Sequence, residues 1–139
     1  MNKKLVAFTI NTFEQAESII LESKVYKFTP ILHLKKYFII GFGSEYILTF
    51  QSMLVSKFGK SSFKLFVDCG FDKGLAISMA SNKIKYLKLN ANSNVLSKIK
   101  NIFDKNRVLL NPKFNIVDCR NIKNINLKLK NILKVKNEN

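Results

Sequence analysis

Lys64-Leu65-Phe66-Val67-Asp68-Cys69-Gly70-Phe71-Asp72-Lys73-Gly74 is the stretch on which the reading of this chain turns. An apolar run ends in two acids and two glycines, and a helix-like segment follows. That is the pattern of a strand turning into a helix. In an open parallel α/β sheet such corners sit where ligands bind.

The same alternation extends outward in both directions. Leu5–Ile10 is short, apolar and partly β-branched, as a buried strand is. Asn11 or Thr12 then caps a helix, because Glu14 and Gln15 each lie three residues beyond one of them. Phe13, Ala16, Ile19 and Ile20 share one face of that helix. Phe28–Leu34 is a second strand. Tyr37–Ile40 fits either a strand or a helical turn. Gly41-Phe42-Gly43 breaks the pattern, Ser44 is placed to cap, and Glu45–Phe58 reads as a helix closed by Gly59. Its apolar residues surround most of the axis, which suits a central helix or a subunit interface.

Downstream of the corner, residues 72–82 read as a short helix with small faces at Ala76, Ser78, Ala80 and Ser81. Ile84–Leu89 is a fourth strand, and a cap at residues 92–94 opens a helix through Lys105. Arg107–Leu110 is a fifth strand, ending at Asn111-Pro112, and Phe114–Val117 a short sixth. Ile122, Ile125, Leu129, Ile132 and Leu133 recur at helical spacing among lysines. Alternating strands and helices with short links predict a parallel sheet covered by helices. The expected fold is α/β, with about five parallel strands in a flavodoxin-like three-layer sheet. The alternative is half of a β/α barrel, whose open edge would need a partner. Residues 1–119 are expected to form one domain. Residues 120–139 add a basic amphipathic helix and a frayed tail packed on it.

A chain of 139 residues with 47% hydrophobic content can bury a real core. Its formal charge is +15, and all but Arg107 and Arg120 of its 24 basic residues are lysine. Lysine, Asn, Ile, Phe and Tyr are what AT-rich codons encode, so base bias is one explanation of that charge and a functional basic surface the other. The charge is also uneven: residues 1–50 carry net +2 and residues 51–139 net +13. A basic half offers a face to an anionic partner. Nucleic acid is one such partner, although no aromatic-basic strand motif or zinc-finger spacing is present. Cys69 and Cys119 stand fifty positions apart and form no CxxC, so free thiols in a reduced cytoplasmic protein are expected. The opening apolar stretch stops at Asn11, too short for a secretory signal. No run approaches the roughly 18 apolar residues of a membrane span.

Val6-Ala7-Phe8-Thr9, the Gly41 loop before an apolar helix, and Asp68-Cys69-Gly70 followed by Gly74 and Ala76 carry a resemblance. Together they resemble a family of small uncharacterised alphaproteobacterial α/β proteins with an Asp-Cys-Gly-x-x-x-Gly-x-Ala signature. The resemblance covers roughly residues 5–112 and implies a fold but no established activity. The corner is also similar to the Asp-His-Gly strand end of class II aldolases, which are zinc-dependent β/α barrels. Cys69 stands where that family has a metal-binding His, and the other ligands have no counterpart here.

Asp68 and Asp72 have the chemistry of an acid–base pair, but equally that of a strand end and a helix cap. Cys69 stands near a helix start, where thiolates are favoured, yet no base accompanies it. Gly70 and Gly74, like Gly41, Gly43 and Ser44, would let backbone N–H groups meet an anion. Their spacing fits neither the dinucleotide nor the P-loop fingerprint. His33, the one histidine, lies near the end of strand two. Parallel topology would gather Asn11, Thr12, His33, Asp68, Asn90 and Asn111 along one rim. Asp118-Cys119 echoes Asp68-Cys69, but the match is too short to be a repeat. No cofactor or metal is implied, and the residues do not decide whether the chain is an enzyme. The expected role is a non-catalytic module that oligomerises or binds a partner through helix 45–58. Binding of an anionic or phosphorylated small molecule at the C-terminal strand ends is the alternative. Nucleic-acid binding through residues 51–139 is the second alternative.

Overall fold

A computed structural model describes residues 6–36 and 43–138, with side chains to residue 133. The described residues form six strands and five helices, in the order β1 (Val6–Thr9), α1 (Phe13–Val25), β2 (Ile31–Leu34), α2 (Ser44–Phe58), β3 (Lys64–Asp68), α3 (Lys73–Ser81), β4 (Tyr86–Lys88), α4 (Ser93–Lys105), β5 (Leu109–Leu110), β6 (Asn115–Asp118) and α5 (Ile125–Glu138). Every strand pair is parallel, in the order β5-β4-β3-β2-β1-β6. The α/β class and the helix-covered parallel sheet are therefore as the alternation predicts. Tyr37–Ile40 and Gly41 lie outside the described residues.

The winding and the layering differ from a flavodoxin-like sheet. That sheet reverses direction beside its first strand. Here β1 to β5 follow in sequence, and β6 returns to β1 through residues 111–114 with no helix. Sequential winding puts the helices on one face, as in the half-barrel alternative. Burial agrees. Phe8, Leu32, Val67 and Leu87 join buried residues from all five helices in one core. The opposite face buries Ala7, Ile31, Phe66 and Tyr86 in a separate small cluster, against which Phe114 packs.

The short return link also requires the sheet to curl. Edge strands of a flat six-stranded sheet would stand roughly 24 Å apart, at about 4.8 Å per strand. Residues 111–114 can bridge at most roughly 18 Å when fully extended. The helix-free face is therefore concave, and the link crosses it. Phe114 meets Phe66 edge-to-face at 5.4 Å and Tyr86 at 4.9 Å, which places its ring inside the curl.

Three helices hand over to the next strand by one device. Lys27, Lys83 and Arg107 adopt left-handed backbone at the ends of α1, α3 and α4. The next residue then donates its N–H five residues back: Phe28 to Ser23, Ile84 to Met79, Val108 to Phe103. These are Schellman closures in which a basic residue takes the place usual for glycine. The cation gains from the negative end of the helix dipole, partly offsetting the strained backbone.

The two ends of α2 and the whole of α5 complete the picture. Gly43, at φ +82°, is the N-cap of α2, and Ser44 is its first residue rather than the cap expected from sequence. Helix α2 buries Ile47, Phe50 and Leu54 on one side, so it is one-sided rather than apolar all round; Tyr46 and Met53 remain exposed. Helix α5 buries Ile125, Leu129 and Leu133 in the helix-side core and packs on α1. Among the described residues no helix is long and apolar enough to cross a membrane.

Candidate functional site

Side chains alternate across a strand, and register partners in a parallel pair share a face. Thr9 is opposite His33, His33 opposite Phe66, Phe66 opposite Tyr86, and Asp68 opposite Lys88. The concave face therefore carries a row of Thr9, His33, Phe66 and Tyr86. One step further toward the C-terminal ends come Asp68 and Lys88, with Lys35 two residues past His33. Strand alternation thus delivers polar groups to the mouth of the curl and apolar ones to its floor.

A cavity of about 540 Å³ opens there, lined by His33, Lys35, Lys36, Phe66, Asp68, Lys88, Pro112, Lys113, Phe114 and Ile116. Four of its lining residues are lysines and one is a carboxylate. His33 forms the polar part of its floor. The ring is buried and lies over Phe66, with centroids 4.8 Å apart. Its Nδ1 is 2.8 Å from Thr9 Oγ1. Burial pushes the His33 pKa down to about 4; Asp68 pulls it up, and Lys35, Lys88 and Arg120 push it further down. The imidazole is therefore neutral at pH 7.

A second cavity, of about 700 Å³, lies beside the β3–α3 corner and is lined by residues including Lys36, Gly43, Ser44, Asp68, Cys69, Asp72 and Gly74. The two cavities share Lys36 and Asp68. The corner is built from local caps. Asp68 Oδ1 accepts the Gly70 N–H at 2.9 Å, and Asp72 Oδ1 accepts the Leu75 N–H at 2.9 Å as the N-cap of α3. Gly70 sits at φ +59°, and a Cβ there would come within 2.7 Å of Lys36 Cδ. The lysine stem thus lies across the glycine, with its ammonium 5.4 Å from the Phe71 ring centre. Gly74 has ordinary backbone and space for a Cβ, so sterics do not demand glycine there.

Cys69 is buried among the helix-side core residues, and burial, reinforced by Asp68 and Asp72, pushes its thiol up to about 12. That is the environment of an inert thiol. Asp118-Cys119 forms the same corner at the end of β6: Asp118 Oδ1 accepts the Arg120 N–H at 3.0 Å, and Cys119 is buried. The Arg120 guanidinium holds the Asp118 carboxyl well below the usual carboxylate range.

Asn11, Thr12, His33, Asp68, Asn90 and Asn111 lie in or follow the C-terminal halves of their strands, but only part of that set faces a cavity. His33 and Asp68 meet at the mouth, while Gly43, Ser44, Cys69, Asp72 and Gly74 line the corner cavity with Asp68. Thr12 and Gln15 make the capping box of α1, and the Asn11 N–H donates to Gln15 Oε1 at 2.6 Å. The Asn90 N–H donates to the Gly70 carbonyl at 2.7 Å. Asn111, at φ +53°, clips β4: its amide accepts from Leu89 N at 2.8 Å and donates to Leu89 O at 3.1 Å. None of Asn11, Thr12, Asn90 and Asn111 lines either cavity. Lys35, Lys88, Lys113 and Phe114 were not singled out from sequence. Lys35 had a usable signal, its i+2 spacing from His33. Lysine abundance masked it.

Among the described residues, no group of three His, Cys, Asp or Glu side chains is placed to hold a metal ion. With Cys69 sunk in the core, the donor set does not fit the zinc centre of class II aldolases.

The sequence matches no protein-family model and no curated protein. Among solved structures, the chain is similar to a protein from Coccidioides immitis assigned as a fructose-1,6-biphosphate aldolase. The TM-score is 0.57 at 12% identity, over 77% of this chain and 44% of that one. The chain thus spans under half the length of that neighbour. The likeness is one of fold, and it agrees with the resemblance of the corner to a βα unit of an aldolase barrel.

Proposed function

We propose that this protein binds a small anionic molecule, a phosphorylated one in the simplest case, at the concave C-terminal mouth of the sheet. The observation that carries this reading is the lining of the 540 Å³ cavity: Lys35, Lys36, Lys88 and Lys113 around a neutral His33, above an aromatic floor. Lysine side chains around a partly enclosed site give it a positive field that attracts anions. Phe66 and Phe114 give the rest of the ligand an apolar surface. Asp68, the one carboxylate in the lining, has Oδ1 held by Gly70 and, among the described residues, no hydrogen bond on its second oxygen, which can accept a ligand hydroxyl. The neighbour's name includes a bisphosphate, which fits this reading only by analogy of fold. Kinship with the small α/β proteins that share the Asp-Cys-Gly signature belongs to the same proposal.

Thermal unfolding in the presence of sugar phosphates and their dephosphorylated counterparts tests the reading. The phosphorylated member of a pair should raise the melting temperature, less so as salt screens the site. Lys35→Ala combined with Lys88→Ala should abolish the difference. Equal responses to both members, or a response that survives the double substitution, would contradict it. Oligomerisation through helix 45–58 has less support, because Tyr46 and Met53 are the large apolar side chains α2 leaves exposed.

A further inference from the structure

We infer that Thr9 fixes His33 as the tautomer with its proton on Nε2, making that nitrogen a neutral hydrogen-bond donor to an oxyanion in the lysine-lined cavity. The inference rests on the anion-binding reading of that cavity and adds a specific donor to it. It begins with a count of hydrogen atoms. Thr9 is fully buried, and among the described residues its hydroxyl has one partner, His33 Nδ1 at 2.8 Å. If Nδ1 carried the proton, it would donate to Thr9 Oγ1, and the hydroxyl's own hydrogen would be left buried without an acceptor. A buried donor without an acceptor is costly and rare. If the hydroxyl donates instead, Nδ1 is a bare acceptor and both groups are satisfied. A neutral imidazole then carries its proton on Nε2.

Nε2 has no protein hydrogen bond among the described residues, yet it is not among the buried polar atoms lacking a partner; Ser23 Oγ alone is. The atom therefore has access to the space His33 lines, which is the cavity shared with Lys35, Lys36, Lys88 and Lys113. The ring cannot swing to another arrangement cheaply. It is clamped against Phe66 on one face and tethered to β1 by Thr9. Burial, with Lys35, Lys88 and Arg120, outweighs the opposing pull of Asp68 and keeps it neutral at pH 7. A neutral donor suits a ligand oxygen that already has cations around it. It adds direction without adding charge. Thr9 is thus a positioning residue and His33 the ligand-contacting one.

Nitrogen NMR of the His33 imidazole in the free protein tests the tautomer without any ligand. The expected spectrum has a pyrrole-type shift at Nε2 and a pyridine-type shift at Nδ1 at neutral pH. Inorganic phosphate should then move the Nε2 signal more than Nδ1. Thr9→Val should weaken phosphate binding by about tenfold, the scale of one charge-assisted hydrogen bond, while Thr9→Ser keeps both the tautomer and the affinity. A pyridine-type Nε2 in the wild type would overturn the inference. So would phosphate binding that leaves Nε2 unmoved and is unchanged by Thr9→Val. An Nε2–H tautomer with no phosphate response at any residue would instead overturn the anion-binding reading, and with it the donor role, while leaving the Thr9 geometry standing.

Discussion

At the scale of single residues, His33 ties stability to site chemistry. Its folded pKa is about 4 against an ordinary 6.5. Between those values the unfolded chain binds a proton that the folded chain refuses. Stability therefore falls as pH drops through this window and is fully present above it. A shift of this size corresponds to about 3 kcal/mol at the acid end. Urea unfolding of the wild type should lose of the order of 2 kcal/mol more between pH 7 and pH 4.5 than His33→Gln does. Parallel pH profiles for the two proteins would show that the imidazole is not buried neutral. The residues legible in sequence were those whose role is local. Asp72 caps the helix that follows it, and Thr12 with Gln15 closes the box their spacing promised. Asn111 was legible as polar and rim-placed, but not as a clip on β4. That role depends on a neighbour 22 positions away. Cys69 sits beside a helix start in sequence, yet strand alternation turns it into the core, where its thiol is insulated.

At the scale of elements, hydrophobic period and punctuation were enough to place every described strand and helix within a few residues. Boundaries shifted where the backbone took an unadvertised turn. The second strand begins after Pro30 rather than at Phe28, because Lys27 and Phe28 are used to close α1. Nothing in a lysine announces left-handed backbone, so the three basic Schellman closures were invisible in the sequence. They make a direct prediction. Lys27→Gly, Lys83→Gly and Arg107→Gly should each stabilise the fold by about 0.5–1 kcal/mol, since glycine relieves the left-handed strain. Chemical denaturation of the single variants reads this. A uniform loss of about 1 kcal/mol would mean that the helix-end charges outweigh the strain. The apolar circumference of 45–58 misled for a related reason: Leu48, Val55 and Phe58 are partly buried against the core and so absorb what looked like a second exposed face.

At the scale of the whole molecule, the deciding feature is the four-residue return from β5 to β6. It converts a row of βα units into a curled sheet with a covered floor and an open mouth. Parallel strands were predictable from alternation. The order was not, because a short link between edge strands is possible only once the sheet curves, and curvature is a property of the assembled twist. Phe114 is the keystone of the concave face. Phe114→Ala should cost about 2–3 kcal/mol, below the full cost of a buried phenylalanine because the ring is half-buried. It should also widen the mouth cavity. Unfolding within about 0.5 kcal/mol of the wild type would show that the return link does not pack the curl. The lysines of the mouth gain their meaning only at this scale: Lys35, Lys88 and Lys113 come from three separate parts of the chain.

The position of a bound oxyanion decides whether the lysine-lined mouth is the anion site. Crystals grown with tungstate in place of phosphate would reveal it by anomalous scattering. A peak is expected in the concave mouth, within hydrogen-bond reach of His33 Nε2 and the Lys88 ammonium. A peak at the 68–74 corner with the mouth empty, or no ordered ion at either place, would contradict it.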